Sequence, residues 1–374
     1  MSTETTKKTV VVVGGGSVGA GIAKSLSAQL DPSKHRFVMV TASEKYVHLP
    51  GTIRTVTTAE GELEKRVFIP YGDFLKGKGE IKHGEVASFT ARSGGKGTVN
   101  LASGESLEYD VLVLATGSKW PGPFELPTGG EKLQSHIDSW RAKIEKAQSI
   151  VLVGAGAVGI EFAGEISDFY KGKNVSIVHN GRLPLNDVYP DRLRNGLLTK
   201  LQRRNVNVVL NDRLDDYTPS EDGTVTLRSG KVLNADLVIP TVGGTPNTAF
   251  IKASLGEDVL TASNYVKVLP TFQLPSHANI FAAGDIIEWK EQKQAAKAAG
   301  HASVVVKNVL SVLKGQSPSA QYKGSYEIMV ITVGREGGAG YFGVLWGLIF
   351  GDWFARMLKS RGLMIEMTKG NFGF

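Results

Sequence analysis

The sequence predicts an α/β protein with two Rossmann-like dinucleotide-binding domains, and three stretches carry that prediction. Val10-Val-Val-Val runs into Gly14-Gly-Gly16-Ser17-Val18-Gly19, and Ile150-Val-Leu-Val runs into Gly154-Ala-Gly156-Ala-Val-Gly159. Far downstream, Asn279-Ile-Phe-Ala-Ala ends in Gly284-Asp285. Each glycine motif has a β-branched strand before it and a helical pattern after it. In such a turn the first glycine makes the bend, the second lets backbone approach a pyrophosphate, and the third lets the helix pack on the strand. The helix N-terminus adds unpaired N–H groups and a partial positive charge for phosphates.

Bulk properties narrow the class. A chain of 374 residues has room for two or three domains, and 41% hydrophobic with 21% charged residues is ordinary globular composition. There is no cysteine, which excludes structural disulfides and a dithiol active site. No apolar run of about 18 residues exists, and no secretory h-region opens the chain. Ser2 follows Met1, so the glycine that N-myristoylation needs is missing, and a cytoplasmic location is expected. The net charge of +7 points to an anionic partner. The cations are scattered as pairs such as Lys7-Lys8, Lys65-Arg66 and Arg203-Arg204, with no long basic run. A nucleic-acid partner is therefore not expected.

In chain order, Met1–Lys8 reads as a polar leader, Ala20–Leu30 as a helix and Phe37–Thr41 as the second strand. An acidic residue commonly ends that strand and binds ribose hydroxyls. Here Thr41 stands there and Glu44 follows, so either is a ribose candidate. Tyr46 to Arg54 is a loop entering a helix. Residues 80–114 read as a short β-meander, closed by the strand Asp110-Val-Leu-Val-Leu-Ala115 and by Thr116-Gly117-Ser118. Lys119 and Trp120 follow, and Pro121, Pro123 and Pro127 mark a hinge. An internal repeat supports duplication: Thr98 to Val113 aligns without gaps on Thr224 to Ile239.

In the second unit Glu161 falls in the first helical turn, where the dipole alone favours a carboxylate. The strand Asn174–Val178 ends in His179-Asn-Gly-Arg182. No carboxylate stands there for an NADH ribose, and Arg182 is placed for a 2′-phosphate, so NADPH is expected alongside NADH. A helix is expected from Lys293 to Leu313 and a strand over Tyr326–Val333. Tyr341 to Phe354 reads as a helix with Gly343, Gly347 and Gly351 on one stripe. Phe342, Trp346, Ile349, Phe350 and Trp353 lie elsewhere on it, with Arg356, Lys359 and Arg361 beyond. That pattern suits an interfacial membrane helix, or else an ordinary core or dimer helix.

The two loops, the Ala115-Thr116-Gly117 strand end, the Gly243-Gly-Thr-Pro-Asn247 crossing and the late Gly284-Asp285 resemble, in their sequence along the chain, the two-dinucleotide-binding-domain flavoproteins. The loop ending in Arg54 and the basic Lys359-Ser-Arg361 resemble the AMID/ferroptosis-suppressor branch, related to apoptosis-inducing factor and type II NADH dehydrogenases. The resemblance implies FAD on Gly14, Gly16, Ser17, Val18, Gly19, Thr41, Arg54, Val86, Ala115, Thr116, Gly117, Lys119, Gly284 and Asp285. It implies Lys293, Gln294 and Ala295 at the flavin pyrimidine edge, and NADH or NADPH on Gly154, Gly156, Gly159 and Arg182. Gly243 belongs to the crossing, and Lys359 to cofactor or membrane contact. The implied catalytic groups are Glu161 at the nicotinamide end, Lys293 and His301. Arg54 has a surface salt bridge as its alternative; His48 is a flavin neighbour or a loop histidine; Lys297 and His301 serve the acceptor or only a helix face.

The expected domains are 1–123 (the first FAD-binding segment), 124–243 (NAD(P)H-binding), 244–325 (the second FAD-binding segment) and a short C-terminal α/β segment, 326–374, that meets the acceptor or a membrane. The implied activity is hydride transfer from NAD(P)H to flavin, then two-electron reduction of a ubiquinone-type quinone, with suppression of lipid radicals. Peripheral attachment to a lipid droplet, the outer mitochondrial face or the plasma membrane would follow, and a homodimer is compatible. The alternatives are a soluble NAD(P)H oxidase or diaphorase, and a death-signalling flavoprotein that binds nucleic acid. No metal site is expected.

Overall fold

The structure, a computed structural model, describes residues 7–92 and 95–374; most of the leader expected at Met1–Lys8 lies outside the described residues. A six-stranded sheet runs in the order Gln273–Leu274, His277–Ala282, Val111–Leu114, Lys8–Val13, His35–Thr41, Glu80–His83. Lys8–Val13 is paired in parallel on both sides, with Val10 opposite Val111 and Phe37. Val10, Val11 and Val12 have no exposed surface. Burial on both faces is why the strand reads as one unbroken apolar run.

A second, four-stranded parallel sheet has the order Asn207–Val209, Asn174–Val178, Ser149–Val153, Leu237–Pro240. The two crossings between the sheets pair with each other: Ser118–Lys119 lies antiparallel to Thr245–Pro246.

The internal repeat has a structural cause. Asp110 accepts the Thr9 N–H at 2.7 Å and donates its own N–H to the Thr9 carbonyl. Asp236 repeats this in the second unit, accepting from the Gln148 and Ser149 amides, both at 2.8 Å, and donating to the Ser149 carbonyl. Gly104 and Gly230, six residues before each aspartate, both adopt φ +89°, which only glycine does cheaply.

Several boundaries differ from expectation. The first helix is Ser17–Gln29, so Ser17 and Val18 belong to its first turn. The meander is limited to Val86–Ala91, Gly97–Leu101 and Ser106–Tyr109; Glu80–His83 instead forms the parallel edge of the main sheet. The expected Lys293–Leu313 helix begins at Ala298, after a 3-10 turn over Ala295–Lys297, and Gln294 is extended.

The largest correction is at Tyr341–Phe354, which is a β-hairpin and not a helix. Gly338–Phe342 pairs with Ile328–Thr332 on one side and Leu348–Phe350 on the other. The turn between them holds Leu345, Trp346 and Gly347 at φ +47°, +65° and +88°, which no right-handed helix accepts. The glycines do separate jobs: Gly343 donates to the Glu327 carbonyl at 2.7 Å, and Gly347 lies against Tyr341. Only Asp352–Ala355 is α-helical, and it continues into a π-helical turn, Arg356–Ser360.

Packing does not follow chain order. The Leu49–Thr57 helix buries Ile53 and Val56 in a core shared with Ile160, Phe162 and Ile331. The C-terminal helix Ile365–Phe372 crosses back, so that Phe372 and Phe374 pack against Tyr46, Tyr71 and Phe74 of the first unit. Among the described residues no helix is long and apolar enough to cross a membrane.

Candidate functional site

Both glycine turns have the same geometry. Gly14 and Gly154 adopt φ +113° and +116°. A Cβ on Gly19 would stand 1.8 Å from the Gly14 carbonyl oxygen, and one on Gly159 1.9 Å from that of Gly154. The third glycine thus permits the helix to touch the strand end. Around Gly16 and Gly156, by contrast, no described atom beyond the adjoining residues lies within 4 Å of a Cβ position. Neither helix has a side-chain N-cap, so the first-turn amides point to open ground beside the middle glycine. Two cradles closed at the back and open at the helix end fit two dinucleotide pyrophosphates.

The first turn is buttressed by tyrosines that the sequence reading missed. Tyr71 donates to the Gly15 carbonyl at 2.9 Å, and Tyr46 lies 3.0 Å from the Ser17 hydroxyl. Burial pushes the Tyr71 phenol up to about 12. Thr41 is buried, its hydroxyl bonded to the Ser43 carbonyl and 3.4 Å from Tyr71, while Glu44 is exposed. Val86 begins the meander opposite Leu101.

Gly284-Asp285 and the crossings gather at this turn. Gly284 (φ +81°) sits over Val18, whose Cγ2 is 3.1 Å from a Cβ position there. Ser118 donates to Asp285 at 3.0 Å, and Thr116 donates to the Asn247 carbonyl at 2.7 Å. Ala115, behind Gly14, is the close approach that makes Gly14 obligatory. Lys119 and Gly243 are exposed at the rim.

Elsewhere the structure assigns partners to residues that the resemblance gave to cofactors. Arg54 is buried, donating to Glu165 at 2.7 and 2.8 Å and to the Ser360 carbonyl at 2.6 Å. Glu161 accepts from Lys359 at 2.6 Å and from the Thr332 amide at 2.9 Å. Arg182 is exposed and bidentate to Asp191; the adjoining cleft, about 300 Å³, is lined by Asn180, Asp212, Arg213 and Arg228. His48 donates from Nε2 to the Leu363 carbonyl at 2.6 Å.

The 291–301 segment forms a charged seam. His301 accepts the Gly284 N–H at Nδ1 (3.0 Å) and donates from Nε2 to Glu291 (2.8 Å), which fixes one neutral tautomer. Burial holds its pKa below the usual imidazole value, with Glu291 pulling the other way. His301 therefore anchors the Gly284 turn and presents no free nitrogen to an acceptor. Lys297 is buried between Glu327, its hydrogen-bond partner, and Glu291 at 3.7 Å. Lys293 donates to the Ile287 carbonyl at 2.7 Å, and Ala295 is exposed. Gln294 donates to Tyr189 at 2.8 Å, while its buried Oε1, like Oε2 of Glu327, has no hydrogen-bond partner among the described residues. An orphan acceptor at this position fits a donor edge such as that of a flavin pyrimidine.

Glu165, Glu291, Glu327, Tyr46, Tyr71 and Tyr189 were missed by sequence reasoning. Only Glu165 left a signal, standing one helical turn after Glu161.

Comparison with known proteins follows the same lines. The family model described as pyridine nucleotide-disulphide oxidoreductase matches residues 8–302. The FAD-dependent oxidoreductase FVFD30 of Flammulina velutipes is 43% identical over 309 residues, 82% of this chain and 96% of that one. Ferroptosis suppressor protein 1 of Taeniopygia guttata is 30% identical over 377 residues, covering 97% and 95%. Among solved structures, the sulfide:quinone oxidoreductase of Aquifex aeolicus superposes with TM-score 0.76 at 17% identity, covering 98% of this chain and 92% of that one.

Proposed function

The chain belongs to the pyridine nucleotide-disulphide oxidoreductase family, and from that premise we propose an FAD-dependent NAD(P)H:quinone oxidoreductase that works at a membrane surface. FAD dependence and oxidoreductase activity follow from the family and from the relatives. The acceptor is inferred from this chain. Disulphide chemistry needs a cysteine pair, and the sequence has none; electrons therefore leave the flavin for a diffusible acceptor.

When bound, the flavin supplies the hydride and two-electron chemistry that no side chain here provides. The chain's own groups bind and orient. The first cradle and Asp285 hold FAD, the second cradle holds NAD(P)H, and Gln294 and Lys293 meet the pyrimidine edge. The proposed partition remains 1–123, 124–243, 244–325 and 326–374.

One observation carries the reading: the 2.6 Å bond between Lys359 and Glu161. It joins the helix of the second cradle to the segment that bears the exposed aromatic tip, Leu345 at 71% and Trp346 at 101% exposure, with Trp353 at 66%. Donor site and apolar surface are thus linked through one C-terminal segment. Arg356 and Arg361 follow Trp353 in the chain, each engaged by Glu336. Aromatic side chains flanked by cations suit a lipid interface. The test is turnover on a long-tail quinone in liposomes against oxygen uptake without quinone. Quinone-dependent NAD(P)H oxidation that exceeds oxygen uptake supports the proposal; the reverse favours an oxidase.

A further inference from the structure

Arg54 and Glu165 are both all but fully buried, at 5% and 1% exposure, and lie on different helices. Their two parallel bonds would make a closed ion pair, but the guanidinium does more. Nη2 also donates to the Ser360 carbonyl at 2.6 Å, and Nη1 to that of Arg361 at 3.3 Å. These carbonyls end the π-helical turn Arg356–Ser360, where no further helical N–H follows in register to satisfy them. The chain then passes through Leu363 and Met364 at φ +52° and +59°. That conformation is unfavourable for both residues and must be held by its surroundings. His48 holds the same stretch through the Leu363 carbonyl.

Glu161 and Glu165 are one turn apart on one helix, and both address this segment. Glu161 reaches Lys359 directly; Glu165 reaches its neighbours through Arg54. We propose that the Arg54–Glu165 pair is a positioning device that sets the Lys359 ammonium against Glu161. The proposal rests on the reading that Glu161 faces the nicotinamide end of the second cradle. Lysine has a flexible stem and a single point charge, so its placement depends on where the backbone turn puts it. Arginine at 54 is required because its planar fork makes four bonds here, two to the Glu165 carboxylate and one to each carbonyl, whereas a lysine ammonium has only three N–H donors and no fork.

The test uses the FAD-loaded protein with Arg54→Lys, the double variant Arg54→Met/Glu165→Met, and Lys359→Met as the reference. The double variant leaves no lone buried charge, so it is the one expected to fold well. FAD content, trypsin cleavage after Lys359 and Arg361, and anaerobic flavin reduction by NADPH are measured. We expect retained FAD, faster trypsin cleavage in that turn, and reduction slowed by about tenfold or more, with a pH profile like that of Lys359→Met. Arg54→Lys should not restore the rate. Loss of FAD with an unchanged trypsin pattern would overturn the proposal and make Arg54 a flavin contact. Unchanged reduction with FAD retained would overturn it too. If the unaltered protein's flavin is not reduced by NADPH or NADH, the functional reading itself fails, and the trypsin pattern still decides whether the pair holds the turn.

Discussion

Glu161 is the residue on which most converges. Its carboxylate is buried in the second turn of the Ala157–Phe169 helix, one turn later than the sequence suggested, and is bonded to an ammonium and a backbone amide. Glu161→Ala should leave FAD bound and slow flavin reduction by NAD(P)H on the order of a hundredfold; normal bleaching in a stopped-flow trace would count against the assignment. A second residue-scale expectation concerns acid. His48, His179 and His301 are held below the usual imidazole pKa, in each case mainly by burial. Above pH about 6.5 these histidines are neutral in both the folded and unfolded chain; as pH falls below it, the unfolded chain takes up protons first and the native state loses stability down to the folded pKa values. Melting temperature should therefore drop between pH about 7 and about 5, less steeply in a His48→Asn variant. A flat curve would show that these rings are not kept neutral. None of these pairings was legible in sequence, since Arg54 meets Glu165 across 111 positions and His48 meets Leu363 across 315. Resemblance implied a flavin contact for Arg54, with a surface salt bridge as the alternative, and neither reading names the buried Glu165 carboxylate.

Elements were legible where burial imposed a simple pattern. Lys8–Val13 and Ser149–Val153 are central parallel strands, so their uninterrupted valines, leucines and isoleucines could be read directly. The C-terminal hairpin was misread because glycines four apart imitate a helix-packing stripe. Their real roles, close approach to the Glu327 carbonyl and to Tyr341, depend on partners outside the window. The left-handed turn at Leu345 and Trp346 carries no compositional cue at all. The hairpin leaves Leu345 and Trp346 exposed at its tip, and the membrane prediction falls on that tip. Trp346→Glu should reduce co-sedimentation with anionic liposomes by about tenfold to a hundredfold, the value of one large apolar side chain buried in lipid. FAD content should not change. Undiminished binding would remove the hairpin from the interface.

At the scale of the molecule, two duplicated units have been knitted together by segments that ignore their boundaries. The Leu49–Thr57 helix packs in the second core, and the C-terminal chain leaves that core at Ile365 to end on the tyrosines behind the first cradle. The order of motifs was enough to foresee the two sheets and the two crossings between them, because each needs only local patterning and right-handed connection; that the crossings pair with each other was not foreseen. How the units close on each other was not foreseeable, as it rests on buried charges: Arg54 with Glu165, Lys359 with Glu161, Lys297 with Glu327. Those contacts tie the helix of the second cradle to the Leu49–Thr57 helix and to the C-terminal segment, which is where the proposed function has donor, flavin and acceptor meet. The most direct measurement is an anaerobic titration of the purified protein in the presence of vesicles. NAD(P)H should bleach the flavin's visible absorbance, and a long-tail quinone in the vesicles should then restore it with one quinol formed per flavin. A protein that carries no flavin and takes none up, or one whose bleached flavin is reoxidised by oxygen but not by quinone, would contradict the account.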